Sequence, residues 1–234
     1  MGKRKVPVPA SLERALDSAL DKALAVQRPV VLAYLRRVQA SKPHARPAVL
    51  VQMLERRYVA AVVGIGAASG GAAAVPGAGT AASLAAGVAE ITAFVSATGM
   101  YVLALAELHS VPVSDPQIRR ALVLGVLVGS AGAGAVEGAE GQAAHWAQVL
   151  NRPDAKGRIA GVNTRLAHLL VTRFGARQGA LLVGRALPLG IGAGIGAAGN
   201  AALARSAISA ARRAFGPPPE SFPHRVVDVA VVDG

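Results

Sequence analysis

Two sets of titratable side chains could carry acid–base or metal chemistry. Glu90 and Glu107 stand in a long apolar run, with His109 two residues further on, and Glu137, Glu140 and His145 follow in a more polar stretch. Metal-binding helices use spacings such as E-x-x-H or H-E-x-x-H, which bring two ligands onto one face. Neither spacing occurs here, and a two-residue step puts Glu107 and His109 on different faces of a helix. With no cysteine in the chain, disulfides, thiolate metal sites and a cysteine nucleophile are excluded. The sequence therefore assigns no catalytic residue, metal ligand or cofactor. An enzyme working at Glu90, or at Glu137, Glu140 and His145, stands as an alternative. Glu90 is the sharper case: residues 58–118 contain no Lys or Arg, so a buried Glu90 must be neutral or find a distant partner.

The other chemistry-bearing pattern is glycine. Gly194, Gly196 and Gly199 spell G-x-G-x-x-G. A dinucleotide site needs a strand before that motif, a helix opening after it and an acidic residue about 20 positions on. The preceding "TRFGARQGALLVGRALPLG" reads as helix and turn, and no Walker-type loop is present. Helix packing accounts better for the glycines. G-x-x-x-G recurs at Gly66/Gly70, Gly125/Gly129, Gly134/Gly138, Gly175/Gly179, Gly190/Gly194 and Gly192/Gly196. Four-residue spacing lines small residues along one face and lets a second backbone come close. Asn200, beside the last of these runs, is expected to bond to backbone at a turn or helix start.

Elements that hold these residues are helical. Apolar residues make up 53% of the 234-residue chain and aromatics only 3%, a composition poor in strand formers. Residues 1–9 read as a flexible basic lead. Ser11 opens an amphipathic helix with Leu12, Leu16, Ala19, Ala23 and Leu24 on one side, and Pro29 breaks or kinks it before a continuation to about Ala40. A further helix is expected from Pro47 to Val63, then a Gly-rich break over 64–80, then an all-apolar helix capped by Thr80. "SVPVSDPQIRRALVLGVLVG" predicts a helix start with Ser114 as N-cap and Gln117 closing a capping box. Helical spacing returns from Ile159 to Phe215, interrupted at Gly175 and Pro188. The expectation is an all-α, multi-helix bundle of Gly/Ala-rich packed hairpins over residues 10–215, followed by a Pro-rich tail over 216–234.

Charge is distributed unevenly. The net charge is +12, with 12 Lys/Arg against 4 Asp/Glu in residues 1–57 and 11 against 4 in residues 151–234. Two basic arms thus flank a neutral apolar middle, a pattern suited to anionic headgroups. Lys3, Arg4, Lys5, Arg205, Arg212 and Arg213 are the expected membrane-surface cations. Nucleic acid is disfavoured by the few stacking aromatics and by the lack of any recognisable binding motif. A spanning helix needs about 20 apolar residues. The most hydrophobic charge-free runs, 91–106 and 121–136, are 16 residues each. Peripheral association is therefore favoured over inserted hairpins at 58–110 and 119–136. No secretory signal is expected, since the basic start runs into a charged amphipathic segment.

The stretch "GGAAAVPGAGTAASLAAGVAEITAFVSATGMYVLALAELHSVPVSDPQIRRALVLGVL" resembles the EcsC family of bacterial proteins, as does "RALPLGIGAGIGAAGN" followed by "SAARRAF". The resemblance covers roughly residues 60–215. It departs from the family's acidic residue plus Ile-Pro after the Gly/Pro break, where this chain reads "GTAASLAAG". It implies an α-helical protein of a family that is membrane-associated in at least some members and named for linkage to an ABC transporter operon, implies no established catalytic activity, and carries over no functional residue. The reading that results is a cytoplasmic, non-enzymatic accessory or scaffold protein whose partner is an anionic membrane surface or a membrane protein.

Overall fold

The structure, a computed structural model, describes residues 10–25, 28–73, 80–111, 113–129, 147, 159–184 and 191–222. Among them are seven long helices and no strand: α1 (Ala10–Leu24), α2 (Arg28–Ala40), α3 (Pro47–Ala73), α4 (Thr80–Leu108), α5 (Pro116–Val128), α6 (Ile159–Gly184) and α7 (Ile191–Phe215). The all-α bundle is as the composition leads one to expect. Its core is continuous, from Ala19 and Leu20 of α1 to Ala214 and Phe215 of α7.

The bundle forms around α4. Its apolar residues run round all sides, and it packs against α1, α2, α3, α5 and α7. Tyr101 to Ala106 are buried without a break. A helix apolar on every face is stable only when neighbours cover every face. Ala86–Leu108 is long and apolar enough to cross a bilayer, and more than half of that stretch is already buried against the neighbouring helices.

Residues 64–73 are not a break. α3 continues through Gly64, Gly66 and Gly70 to Ala73. Each glycine weakens a helix interior by about 1 kcal/mol relative to alanine, and packing against α7 offsets that loss. A Cβ on Gly66 would lie 2.5 Å from the Gly196 carbonyl oxygen, and a Cβ on Gly196 would overlap the Gly66 carbonyl and come within 3.7 Å of the Gly70 Cα. The two backbones therefore touch where α3 and α7 cross. α1 meets α4 in a similar way, since a Cβ on Gly99 would be 2.9 Å from the Ala23 Cβ.

Two other expectations change. The α5 cap is Asp115, one residue later than Ser114: its Oδ1 accepts from the Gln117 N–H at 2.7 Å and the Ile118 N–H at 3.4 Å, with Pro116 at the first helical position. Gln117 is thus second in the helix, too early to close a capping box. α6 runs uninterrupted past Gly175. The apolar run from 121 is also shorter than its sequence: α5 ends at Val128, where Gly129 takes φ 72° and donates its N–H to the Gly125 and Val126 carbonyls. That turn suits glycine, whose missing Cβ removes the clash. Thirteen residues of α5 span about 20 Å, against about 30 Å of bilayer hydrocarbon.

Gly194 and Gly196 separate packing from mere composition. Gly194 is exposed with open space where its Cβ would stand, so Gly194→Ala should raise stability by about 0.5–1 kcal/mol. Gly196→Ala should lower it by about 1–3 kcal/mol, because overpacking forces the backbones apart. Urea unfolding followed by helical circular dichroism measures both; changes of the same sign would contradict this crossing.

Candidate functional site

The α3–α7 contact continues beyond the glycines. The two helices run antiparallel: Gly66 lies at Gly196, Val62 at Asn200 and Glu55 at Arg212. At the crossing, Asn200 is 1% exposed, and its Nδ2 donates to the Val62 carbonyl at 3.1 Å and to Glu90 Oε1 at 3.2 Å. Asn200 sits inside α7, not at a turn or helix start, and joins α3, α4 and α7. The missing Cβ of Gly66 makes room for it, since a Cβ there would be 2.5 Å from Nδ2. Glu90 thus has a distant partner for its carboxylate. This contact ties α3, α4 and α7 together.

Farther along, α3 and α7 line an open groove of about 850 Å³. Its apolar floor is Val59, Ala60 and Val63 from α3 with Ile208 from α7, and its polar walls are Glu55, Arg56, Arg205, Ser209, Arg212 and Arg213. Helical spacing generates this lining directly: 205, 209, 212 and 213 form one stripe of α7, opposite the buried Ala204, Ala207, Ala211 and Ala214. Arg56 and Arg205 are exposed and meet no carboxylate among the described residues.

Arg212 is fixed differently. Its Nε and Nη2 donate to the two Glu55 carboxylate oxygens at 2.8 and 2.6 Å, a fork-on-fork pair that raises the Arg212 pKa. Glu55 is only 7% exposed, whereas the Arg212 side chain is 66% exposed. Arg213 donates from Nη1 to Ser209 Oγ at 2.7 Å. Behind Glu55, Tyr58 and Tyr101 stack with ring centroids 4.6 Å apart, and burial pushes both phenols well above their ordinary value. The Tyr58 and Thr98 hydroxyls share a 2.9 Å hydrogen bond, while the buried Tyr101 hydroxyl has no hydrogen-bond partner.

The structure brings together three of the expected surface cations, Arg205, Arg212 and Arg213, and adds Arg56. Lys3, Arg4 and Lys5 lie outside the described residues. Gly66, Gly70 and Gly196 meet at the crossing; Gly125 is buried in α5 and Gly129 ends that helix; Gly194 faces outward and does not pack. Gly192 is in α7, and Gly190 lies outside the described residues. So do Glu137, Glu140 and His145. Glu107 and His109 are apart in function as well as in face. Arg28 grips Glu107 from α2 at 2.7 and 3.0 Å, whereas His109 Nδ1 donates to the Leu105 carbonyl and its ring lies 5.3 Å from Phe215. No group of three or more metal-ligating side chains occurs among the described residues.

Glu55 and Arg56 were not singled out from sequence, although a signal was there. Glu55 falls on the same helical stripe as the buried Val51, Tyr58 and Val62, and an acid on an apolar stripe requires a partner. Compared with protein-family models, with curated proteins and with solved structures, the chain gives no significant match. The function therefore has to be argued from the groove itself.

Truncating Arg212 would leave Glu55 charged, nearly buried and unpaired. Arg212→Ala should therefore destabilise the fold by about 1–2 kcal/mol more than Arg205→Ala, a partly exposed case of a broken ion pair. Equal losses in denaturant unfolding would show that the Glu55 pair holds nothing.

Proposed function

We propose that this protein is a non-enzymatic accessory or scaffold protein of the EcsC type that binds the cytoplasmic face of a bacterial membrane peripherally, in support of transport or envelope processes. The observation that carries the reading is the groove: four arginines and one glutamate around an apolar floor on an exposed face. Such a surface suits the boundary between headgroups and acyl chains, where apolar contact and attraction to anionic lipid act together. Arginine stems can lie on the apolar floor while their guanidinium groups reach phosphate.

Other features agree with a surface position. α4, the stretch long enough to span, is used as the core of the bundle, and α5 is too short to cross. Inserting a hairpin built on α4 would require exposing the α1, α2, α3, α5 and α7 faces now packed on it. Glu90 and Glu107, the acids of that helix, are engaged by Asn200 and Arg28. The resemblance to the EcsC family points in the same direction, toward a membrane-associated helical protein without a catalytic site.

Vesicle co-sedimentation tests this reading. The full chain should pellet with phosphatidylglycerol-containing vesicles, stay in solution with pure phosphatidylcholine, and leave the anionic vesicles as salt rises and the screening length falls from about 10 Å at 0.1 M to 3 Å at 1 M. Equal binding to both vesicle types would overturn an anionic-surface role. Retention through high salt and carbonate would favour inserted hairpins instead.

A further inference from the structure

We propose that the α3–α7 groove is a site for one lipid molecule with a phosphomonoester headgroup, of the phosphatidic acid type, whose acyl chain starts along Val59, Val63 and Ile208. This rests on the membrane-surface reading and makes it specific. The antiparallel register set by Glu55 and Arg212 puts Arg56, Ser209, Arg212 and Arg213 near one end of the groove. Val59, Ala60 and Ile208 lie next, and Val63 and Arg205 follow toward the Gly66–Gly196 crossing. The groove thus gathers three of its arginines at one end, runs over an apolar middle, and carries Arg205 beside Val63 toward the crossing; a lipid's head matches the first and the start of its chain the second.

Charge selects the headgroup. At the polar end Arg56, Arg212 and Arg213 stand against Glu55, leaving two positive charges there, and Arg205 adds a third farther along. Glu55 neutralises Arg212, and Ser209 steadies Arg213, but Arg56 and Arg205 have no acidic partner among the described residues. A phosphomonoester carries about −1.5 to −2 charges near neutral pH and three acceptor oxygens, so it matches this excess better than a singly charged phosphodiester. Arginine forks bind such oxygens bidentately. Size favours a small amphiphile over a protein partner. The groove's 850 Å³ and ten lining residues fit the roughly 300–1,000 Å³ of ligand sites. Stable protein interfaces use about 20–30 residues a side.

The test uses the full chain with short-chain phosphatidic acid and short-chain phosphatidylglycerol, each dissolved as monomer, in titration calorimetry. Phosphatidic acid should bind more tightly. Arg56→Ala with Arg205→Ala should weaken it roughly tenfold or more, as expected when one charge-assisted hydrogen bond to phosphate and a second positive charge of the groove are lost. Both arginines are exposed and meet no carboxylate among the described residues, so this variant should fold, which circular dichroism checks. Arg36→Ala with Arg37→Ala removes the same charge from exposed positions on α2 and should leave binding unchanged. Equal affinity for the two lipids, or equal loss in both variants, overturns the site. So does an acidic amphipathic peptide that binds where phosphatidic acid does not; that result would assign the groove to a protein partner. Vesicles separate this proposal from the broader reading. A chain that binds monomeric phosphatidic acid but ignores anionic vesicles keeps the groove and loses the membrane-surface role. A chain whose vesicle binding is indifferent to Arg56→Ala with Arg205→Ala and to headgroup keeps the surface role and loses the site.

Discussion

The contact between the Gly66 and Gly196 backbones sets the geometry of the rest of the α3–α7 face. Neither residue has a Cβ, so the helices approach until a methyl group would overlap a carbonyl oxygen. At the crossing, the space left by Gly66 admits Asn200, whose amide joins the Val62 carbonyl to Glu90. Two to three turns away, Val59, Ile208 and the arginines line the groove. The glycines, the buried amide and the arginine stripe are thus parts of one antiparallel helix pair. Burial of the alanines on the back of α7 anchors that pair in the common core.

Much of this was legible in the sequence. Ala-rich, aromatic-poor composition pointed to helices, and the 205–209–212 stripe opposite 204–208–211 placed arginines on one face of α7. Four-residue glycine spacing pointed to close helix contact, and Gly66, Gly70 and Gly196 make it. What the spacing could not supply was the identity of partners. Gly194 has the same spacing from Gly190 that Gly196 has from Gly192, yet Gly194 faces outward, because only one face of α7 meets α3. The 64–73 stretch read as a break because glycine lowers helix propensity, whereas the tertiary contact reverses that preference. Glu55 was not singled out, because its partner stands 157 residues later. Long-range pairs of this kind leave no local periodicity.

The same distinction applies to α4. By length and composition it reads as buried or membrane-embedded; its neighbours bury it, and its two acids meet Asn200 and Arg28. An all-round apolar helix fits either a bilayer or a protein core; the helices packed around it decide. The surface proposed to meet lipid lies elsewhere, on the arginine-walled groove. The functional account therefore depends on which face of the bundle meets the membrane.

The chain has no cysteine, so single cysteines can carry an environment-sensitive probe without background. Labels at Ser209 and at Lys42, one in the groove and one on the exposed α2–α3 turn, would be read with and without anionic vesicles. The account predicts that the Ser209 probe shifts to a headgroup-like, less polar environment while the Lys42 probe stays in water. A shift at Lys42 with none at Ser209 would put a different face on the membrane and contradict the assignment of function to the α3–α7 groove.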